Sequence, residues 1–217
     1  MRNFTVTEAV RDYAVDHGKW LPDDVIRQLH KETAELGSAA GMQIGDDQGQ
    51  FLTMMARLVQ ARRAVEVGTF TGYSSLCIAR GLVDGGSLLC CDVSEEWTSI
   101  ARRAWERAGL SDRIELRLDP AIKTLKSLPM EADLDLVFID ADKPGYLSYW
   151  DELVPRVRQG GVLLADNVLW SGDIVDETIA DANAVALRAF NDRVVADDRV
   201  EALILTAFDG LTIARKR

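Results

Sequence analysis

Two short stretches carry residues that could do chemistry together. Phe138-Ile139-Asp140-Ala141-Asp142-Lys143 closes one apolar run, and Ala165-Asp166-Asn167 closes another. Each run reads as a buried strand, which puts Asp140 and the Asp166-Asn167 pair at strand ends. If the two strands are parallel neighbours, about 4.8 Å apart, these side chains converge at the sheet edge where such folds bind ligands. Two carboxylates and a carboxamide crowd one another there unless a cation sits between them. The set holds no His or Cys, so the cation is a hard one, Mg2+ first, with Ca2+ or Mn2+ as alternatives. Taken singly, Asp166-Asn167 reads equally well as a polar turn and Asp142-Lys143-Pro144 as a solvated loop. Their joint position at two strand ends is what favours a metal site.

A second constellation lies upstream. Glu66-Val67-Gly68-Thr69-Phe70-Thr71-Gly72 joins an expected strand to an expected helix. Glycine there lets the backbone turn tightly and approach a ligand. The spacing is G-x-x-x-G and not the G-x-G-x-x-G that seats a pyrophosphate in nicotinamide and flavin binders. Asp92 ends the next expected strand, where an acid can accept hydrogen bonds from two ribose hydroxyls. Gly72 alone would be an ordinary turn glycine. Glu66, Gly68 and Asp92 in register with two strands point to a nucleoside without a phosphate chain, and S-adenosylmethionine is such a molecule.

Positioning these groups requires a parallel α/β sheet, and the pattern from about residue 64 onward supplies one. Strands are expected at Ala64–Val67, Ser87–Asp92, Ile114–Leu118, Leu134–Ile139 and Val162–Ala165. The run Leu134–Ile139 is apolar enough to be central, with both faces covered. Helices are expected at Tyr73–Gly81, from Glu95 to Ala108 with a turn at Gly109, at Tyr146–Val157 with a stop at Gly160-Gly161, and at Ala182–Ala196. Val200–Leu205 and Leu211–Arg215 read as a closing pair joined at Asp209-Gly210, a hairpin signal. Residues 1–60 read as a helical extension broken at Gly18, Pro22 and Gly37 to Gly45, packed on the sheet or on a second subunit. The chain of 217 residues suits one domain, 1–217.

Net charge is −10, from 35 acidic and 25 basic residues, with no basic block, which argues against a nucleic-acid partner. No apolar run reaches the roughly 18–20 residues that cross a bilayer. Met1 to Glu8 lacks the basic-then-apolar pattern of a secretory signal, so no membrane association and a cytoplasmic location are expected. Cys77, Cys90 and Cys91 lack metal-ligand spacing and read as buried, reduced thiols.

At these positions the chain resembles the cation-dependent O-methyltransferases of the caffeoyl-CoA and catechol type. The matching stretches are VEVGTFTGYSSL (65–76), LLCCDVS (88–94), DLVFIDADKPGYLSYW (135–150), GGVLLADNVLWSG (160–172) and FDGLTIARKR (208–217), with GMQIGDDQGQFL (41–52) upstream. The resemblance implies a Rossmann-like seven-stranded methyltransferase sheet with flanking helices, usually as a homodimer. It implies that Glu66, Gly68, Thr69, Ser74 and Asp92 contact S-adenosylmethionine, with Ile44, Pro120 and Ala121 lining its ends and Asp140 touching it too. Asp140, Asp166 and Asn167 would hold the metal, Lys143 would be the catalytic base, and Trp170 would wall the substrate pocket. Asp119 stands where relatives often carry a small residue. The insertion that shapes a coenzyme A pocket in plant members is not evident, and Ser127-Leu128-Pro129-Met130 passes to the fourth strand through a short connection, which favours a small catechol-like acceptor.

The implied activity is methylation of one hydroxyl of a small aromatic vicinal diol, in bacterial secondary or small-molecule metabolism. A nicotinamide-dependent oxidoreductase would need the missing glycine. A nucleic-acid methyltransferase is disfavoured by the charge and by the lack of an Asn-Pro-Pro-type tetrapeptide. The remaining alternative, a non-catalytic S-adenosylmethionine-binding protein of the same fold, would be expected to lose Lys143 or a metal ligand, and all four residues are present.

Overall fold

The computed structural model describes residues 6–18 and 22–217. From Arg63 onward the short apolar runs form strands because alternate side chains meet two faces that both need covering. They are β1 (Arg63–Val67), β2 (Ser87–Asp92), β3 (Ile114–Leu118), β4 (Leu134–Ile139), β5 (Val157–Ala165), β6 (Val200–Leu205) and β7 (Leu211–Lys216). Together they make the expected seven-stranded sheet, in the order β3-β2-β1-β4-β5-β7-β6. Strands β1 to β5 run parallel, and β7 is antiparallel to both β5 and β6.

The helices are α1 (Glu8–Asp16), α2 (Asp24–Ala34), α3 (Asp46–Leu58), α4 (Tyr73–Gly81), α5 (Glu95–Arg107), α6 (Ala121–Ser127), α7 (Tyr146–Leu153) and α8 (Ala182–Val195). Several start on a side-chain cap, each worth about 1 kcal/mol. Asp23 accepts from Ile26 N at 3.0 Å, Ser94 from Trp97 N at 3.2 Å and Asp181 from Ala184 N at 2.9 Å. One face of the sheet, with Ala64, Cys90 and Phe138, packs against α4 and α5, over which α2 and α3 add Ile26, Leu29 and Leu52. The other face, with Val65, Val137 and Ile139, packs against Leu125 of α6, Trp150 of α7 and Phe190 of α8. The N-terminal helices thus extend the helical layer more than they cover strands. All six residues of β4 are buried, as expected of the central strand.

Three expectations change. The helix from Tyr146 ends at Leu153, because Pro155 lacks an N–H and its ring obstructs the preceding turn. The chain then enters β5 at Val157, so Gly160-Gly161 lie inside a strand and do not stop a helix. The register jumps from Leu134↔Val157 to Leu136↔Val162, and the extra residues bulge at Gly160, φ +78°. Helix α6 carries no strong sequence signal and was not expected. In the closing hairpin Leu205 pairs with Leu211, so the link runs from Thr206 to Gly210 and is longer than a two-residue turn. Cys77, Cys90 and Cys91 are free and buried. Among the described residues no helix is long and apolar enough to cross a membrane.

Candidate active site

The C-terminal ends of β1, β2, β4 and β5 open onto a cleft of about 1230 Å³. Of the residues singled out from the sequence, Ile44, Gly68, Thr69, Ser74, Asp92, Pro120, Ala121, Asp140, Lys143, Asp166, Asn167 and Trp170 line it. Glu66 does not. Its parity in β1 turns it to the face of Cys90 and Phe138, and it is fully buried beneath the cleft floor.

At Gly68 the chain adopts φ +90° and the amide donates to Cys91 O at 2.9 Å. A Cβ there would collide with the carbonyl of Asp140, so only glycine brings the ends of β1 and β4 this close. Beneath the turn, burial pushes the Glu66 carboxyl up to about 8, while the nearby polar groups of Ser74, Cys90 and Thr69 pull it the other way. Cys90 Sγ donates to Glu66 Oε2 at 3.4 Å. Glu66 Oε1 and Thr69 Oγ1 are buried and lack a partner among the described residues. Of the two, only Thr69 lines the cleft, and its unpartnered hydroxyl fits a polar ligand seated there.

Asp92 is already engaged. Its Oδ2 accepts from Thr69 N at 2.9 Å and Phe70 N at 2.8 Å, and its Oδ1 from Val93 N at 2.7 Å and Ser94 N at 2.8 Å. A carboxylate has about four lone-pair sites, so these bonds use them all. Asp92 therefore fastens the glycine turn to the start of α5; it offers the cleft no free oxygen as placed. Asp119 turns away, pairing with Lys123 at 2.6 Å.

Across the cleft, β4 and β5 are parallel neighbours, and Asp140, Asp166 and Asn167 stand together at their ends. Buried Lys143 binds this group from below. Its Nζ donates to Asn167 Oδ1 at 2.8 Å, to Asp140 Oδ1 at 3.1 Å and to Tyr146 OH at 2.8 Å. Tyr146 OH in turn donates to Asp166 O at 3.1 Å. Asn167 takes φ +56°, a left-handed turn that swings its amide back toward the lysine. Burial, then the negative charge of Asp140, raises the Asp166 carboxyl to about 7. Gln48 Nε2 steadies it, donating to Oδ2 at 2.7 Å. Among the described residues no three His, Cys, Asp or Glu side chains gather as ligands. The set is two carboxylates and an amide oxygen, short of positive charge, and this fits a hard divalent cation.

The outer wall is Trp170, its ring centroid 5.9 Å from Lys143 Nζ. Trp170, Ser171 and Gly172 all take positive φ. The loop hangs from the closing hairpin: Val168 N donates to Gly210 O and Leu169 N to Asp209 O, each at 3.0 Å, and Ser171 N to Asp209 Oδ1 at 2.5 Å. Sequence reasoning missed Gln48 and Tyr146 as members of the site. Gln48 sits 118 residues from Asp166, and no local spacing announces such a contact.

The chain is similar to known O-methyltransferases. A family model described as O-methyltransferase matches residues 19–217. The chain is 36% identical over 212 residues to a Dictyostelium discoideum protein named probable caffeoyl-CoA O-methyltransferase 2, covering 96% of this chain and 91% of that one. It superposes with a TM-score of 0.89 on the O-methyltransferase TomG of Streptomyces achromogenes, involved in tomaymycin synthesis and solved in complex with S-adenosylmethionine; identity is 28%, with 96% of each chain covered. It superposes with a TM-score of 0.82 on an O-methyltransferase from Bacillus cereus, solved with S-adenosylhomocysteine; identity is 32%, with 96% of this chain and 97% of that one covered.

Proposed function

The chain belongs to the O-methyltransferase family whose model it matches, and from that premise we propose that it moves a methyl group from S-adenosylmethionine to one hydroxyl of a small aromatic vicinal diol, with a divalent cation bound. The observation that carries this reading is the position of Lys143 Nζ, hydrogen-bonded to oxygens of Asp140 and Asn167 in the same cleft as the glycine turn.

Thr69, Ser74 and Ile44 hold the methionine end of the cofactor. Asp92, through the backbone it fastens, frames the nucleoside end with Pro120 and Ala121. Asp140, Asp166 and Asn167 hold the cation, Mg2+ first, with Ca2+ or Mn2+ as alternatives. When bound, such an ion supplies positive charge that favours the ionised hydroxyl and can chelate both oxygens of the diol. Lys143 acts from its uncharged amine form: the lone pair on Nζ receives the hydroxyl proton, and the ammonium so formed is the three-donor group that Asp140, Asn167 and Tyr146 hold in place. Trp170 walls the ring of the acceptor and limits its tilt. Methyl transfer is an in-line displacement at carbon, so the chain acts mainly by alignment and by excluding water.

The short connection before β4 supports a small acceptor over a coenzyme A thioester. Residues 1–217 work as one methyltransferase domain, with the described part of 1–60 as its helical extension, in cytoplasmic small-molecule metabolism. Edge strand β6 exposes Leu203 at 52% and Ile204 at 41%, an apolar edge of the kind a second copy covers in a homodimer.

The test is a turnover screen with S-adenosylmethionine and Mg2+ against matched catechols and mono-hydroxy analogues, read by mass spectrometry. The diols should be methylated much faster, because only they close a chelate. Equal rates would end the chelation reading.

A further inference from the structure

Behind the Gly41–Gly45 wall of the cleft lies a histidine that methyl transfer does not use. His30, on α2, places Nδ1 2.6 Å from Gln43 Oε1 and Nε2 2.9 Å from Asp46 Oδ1. The Gln43 amide turns its oxygen toward the ring and its Nε2 toward the threonines, donating to Thr33 Oγ1 at 3.0 Å and to Thr71 Oγ1 at 3.2 Å. Asp46 Oδ1 also accepts from Tyr73 OH at 2.5 Å. Both ring nitrogens therefore face acceptors, and only the imidazolium has two N–H donors. Gln43, Thr71 and Tyr73 all line the cleft, and Thr71 belongs to the glycine turn.

We propose that His30 is a positioning residue for cofactor binding: as an imidazolium it holds Gln43 and Asp46 together, keeps the 41–45 wall against the glycine turn at Thr71, and makes the affinity of the cleft for S-adenosyl ligands fall as the ring loses its proton. This rests on the reading of the cleft as the cofactor site.

The titratable groups facing the ring are Asp46 from α3 and Tyr73 from α4, whose ring meets it edge-on at 4.7 Å between centroids. Other nearby charges are turned elsewhere: on α2, Glu32 pairs with Arg103 and Arg107 of α5, and Arg27 with Asp24. Arg11 of α1 pairs with Asp47. The hydrogen bond to Asp46 raises the ring's pKa most, burial opposes it, and Gln43 adds to the rise. The clamp is thus complete below the ordinary histidine value of about 6.5 and is lost as pH climbs through the raised native value. A neutral ring keeps one N–H, so either Gln43 or Asp46 loses its donor and the 41–45 wall loses a fastening.

The experiment uses the full chain and S-adenosylhomocysteine. Calorimetry from pH 6 to 9 on wild type and His30→Gln should show wild-type affinity weakening about fivefold more than the variant's, since any other titrating group is common to both. Imidazole NMR gives a second readout that needs no variant of His30. The chain has two histidines, and His17→Gln assigns the other one. Binding and protonation are reciprocal, so a preference of about fivefold for the charged form must raise the His30 pKa by about 0.7 unit when ligand saturates. Parallel affinity profiles, or a His30 titration indifferent to ligand, would overturn the proposal. No binding of S-adenosylhomocysteine at any pH would instead overturn the cofactor reading on which it rests.

Discussion

Nζ of Lys143 donates to Oδ1 of Asn167 over 2.8 Å. The proposed base and a proposed cation ligand thus share an oxygen, and the lysine supplies positive charge to a group that a divalent ion would also neutralise.

Replacing that lysine separates chemistry from binding. Lys143→Ala should lower kcat by roughly 10²-fold, in line with loss of a general base. The Kd for S-adenosylhomocysteine should stay within a few-fold, because the glycine turn is untouched. Lys143→Arg should not restore activity, since a guanidinium keeps its proton. Steady-state kinetics and calorimetry check both, and near-normal turnover in either variant would return Lys143 to a structural role.

Chelator-stripped protein should lose turnover and regain it with Mg2+ or Mn2+. Thermal denaturation should show Tm rising as the ion is added, because the native state alone gathers the ligands; at 100-fold above Kd the gain is about 2.7 kcal/mol. Asp166→Ala should abolish both effects while S-adenosylhomocysteine still binds. Full activity in excess chelator is the result that excludes the cation site.

Glu66 predicts an unusual pH dependence of stability. Its native carboxyl is raised to about 8. In an unfolded chain it titrates near about 4.3, so the folded state holds the proton longer. Stability from this group is present at low pH and lost as pH rises from the unfolded value through the native one. Glu66→Gln removes the dependence. Melting curves of ligand-free protein at pH 6 and pH 9 should therefore favour the variant at the higher pH, by on the order of a few kcal/mol. An identical pH response in both proteins would mean that Glu66 is ionised in the fold.

Gly68→Ala tests the closure of β1 on β4. The positive φ alone costs about 1–3 kcal/mol for a residue with a Cβ. The collision with the Asp140 carbonyl adds to it and displaces the end of β4. Lower Tm together with weaker S-adenosylhomocysteine binding is expected; Gly109→Ala, also at positive φ but with open space around it and outside the cleft, is the control and should lower Tm without weakening binding.

What could be read from the sequence divides along the range of the interactions. Strands such as Leu134–Ile139 declare themselves because their burial is written in consecutive residues, and the groups at their ends follow from parallel pairing. Gly160-Gly161 misled because a glycine pair that stops a helix also permits a bulge, and only the pairing with β4 decides between them. Asp92 was legible as the acid at a strand end. Its four backbone partners were not, since they depend on how the glycine turn folds over β2. Tyr146 and Gln48 enter through contacts that exist only after the sheet has closed.

The loop that carries Trp170 is suspended from Asp209 and Gly210, while Asp140 and the glycine turn are braced on the opposite side of β5. Lengthening or shortening the Thr206–Gly210 link would swing the indole and redraw the outline of the proposed acceptor pocket, while the proposed cofactor groups on β1 and β4 keep their places. Two traits of the enzyme, what it modifies and how it modifies it, can therefore drift independently across descendants of this chain.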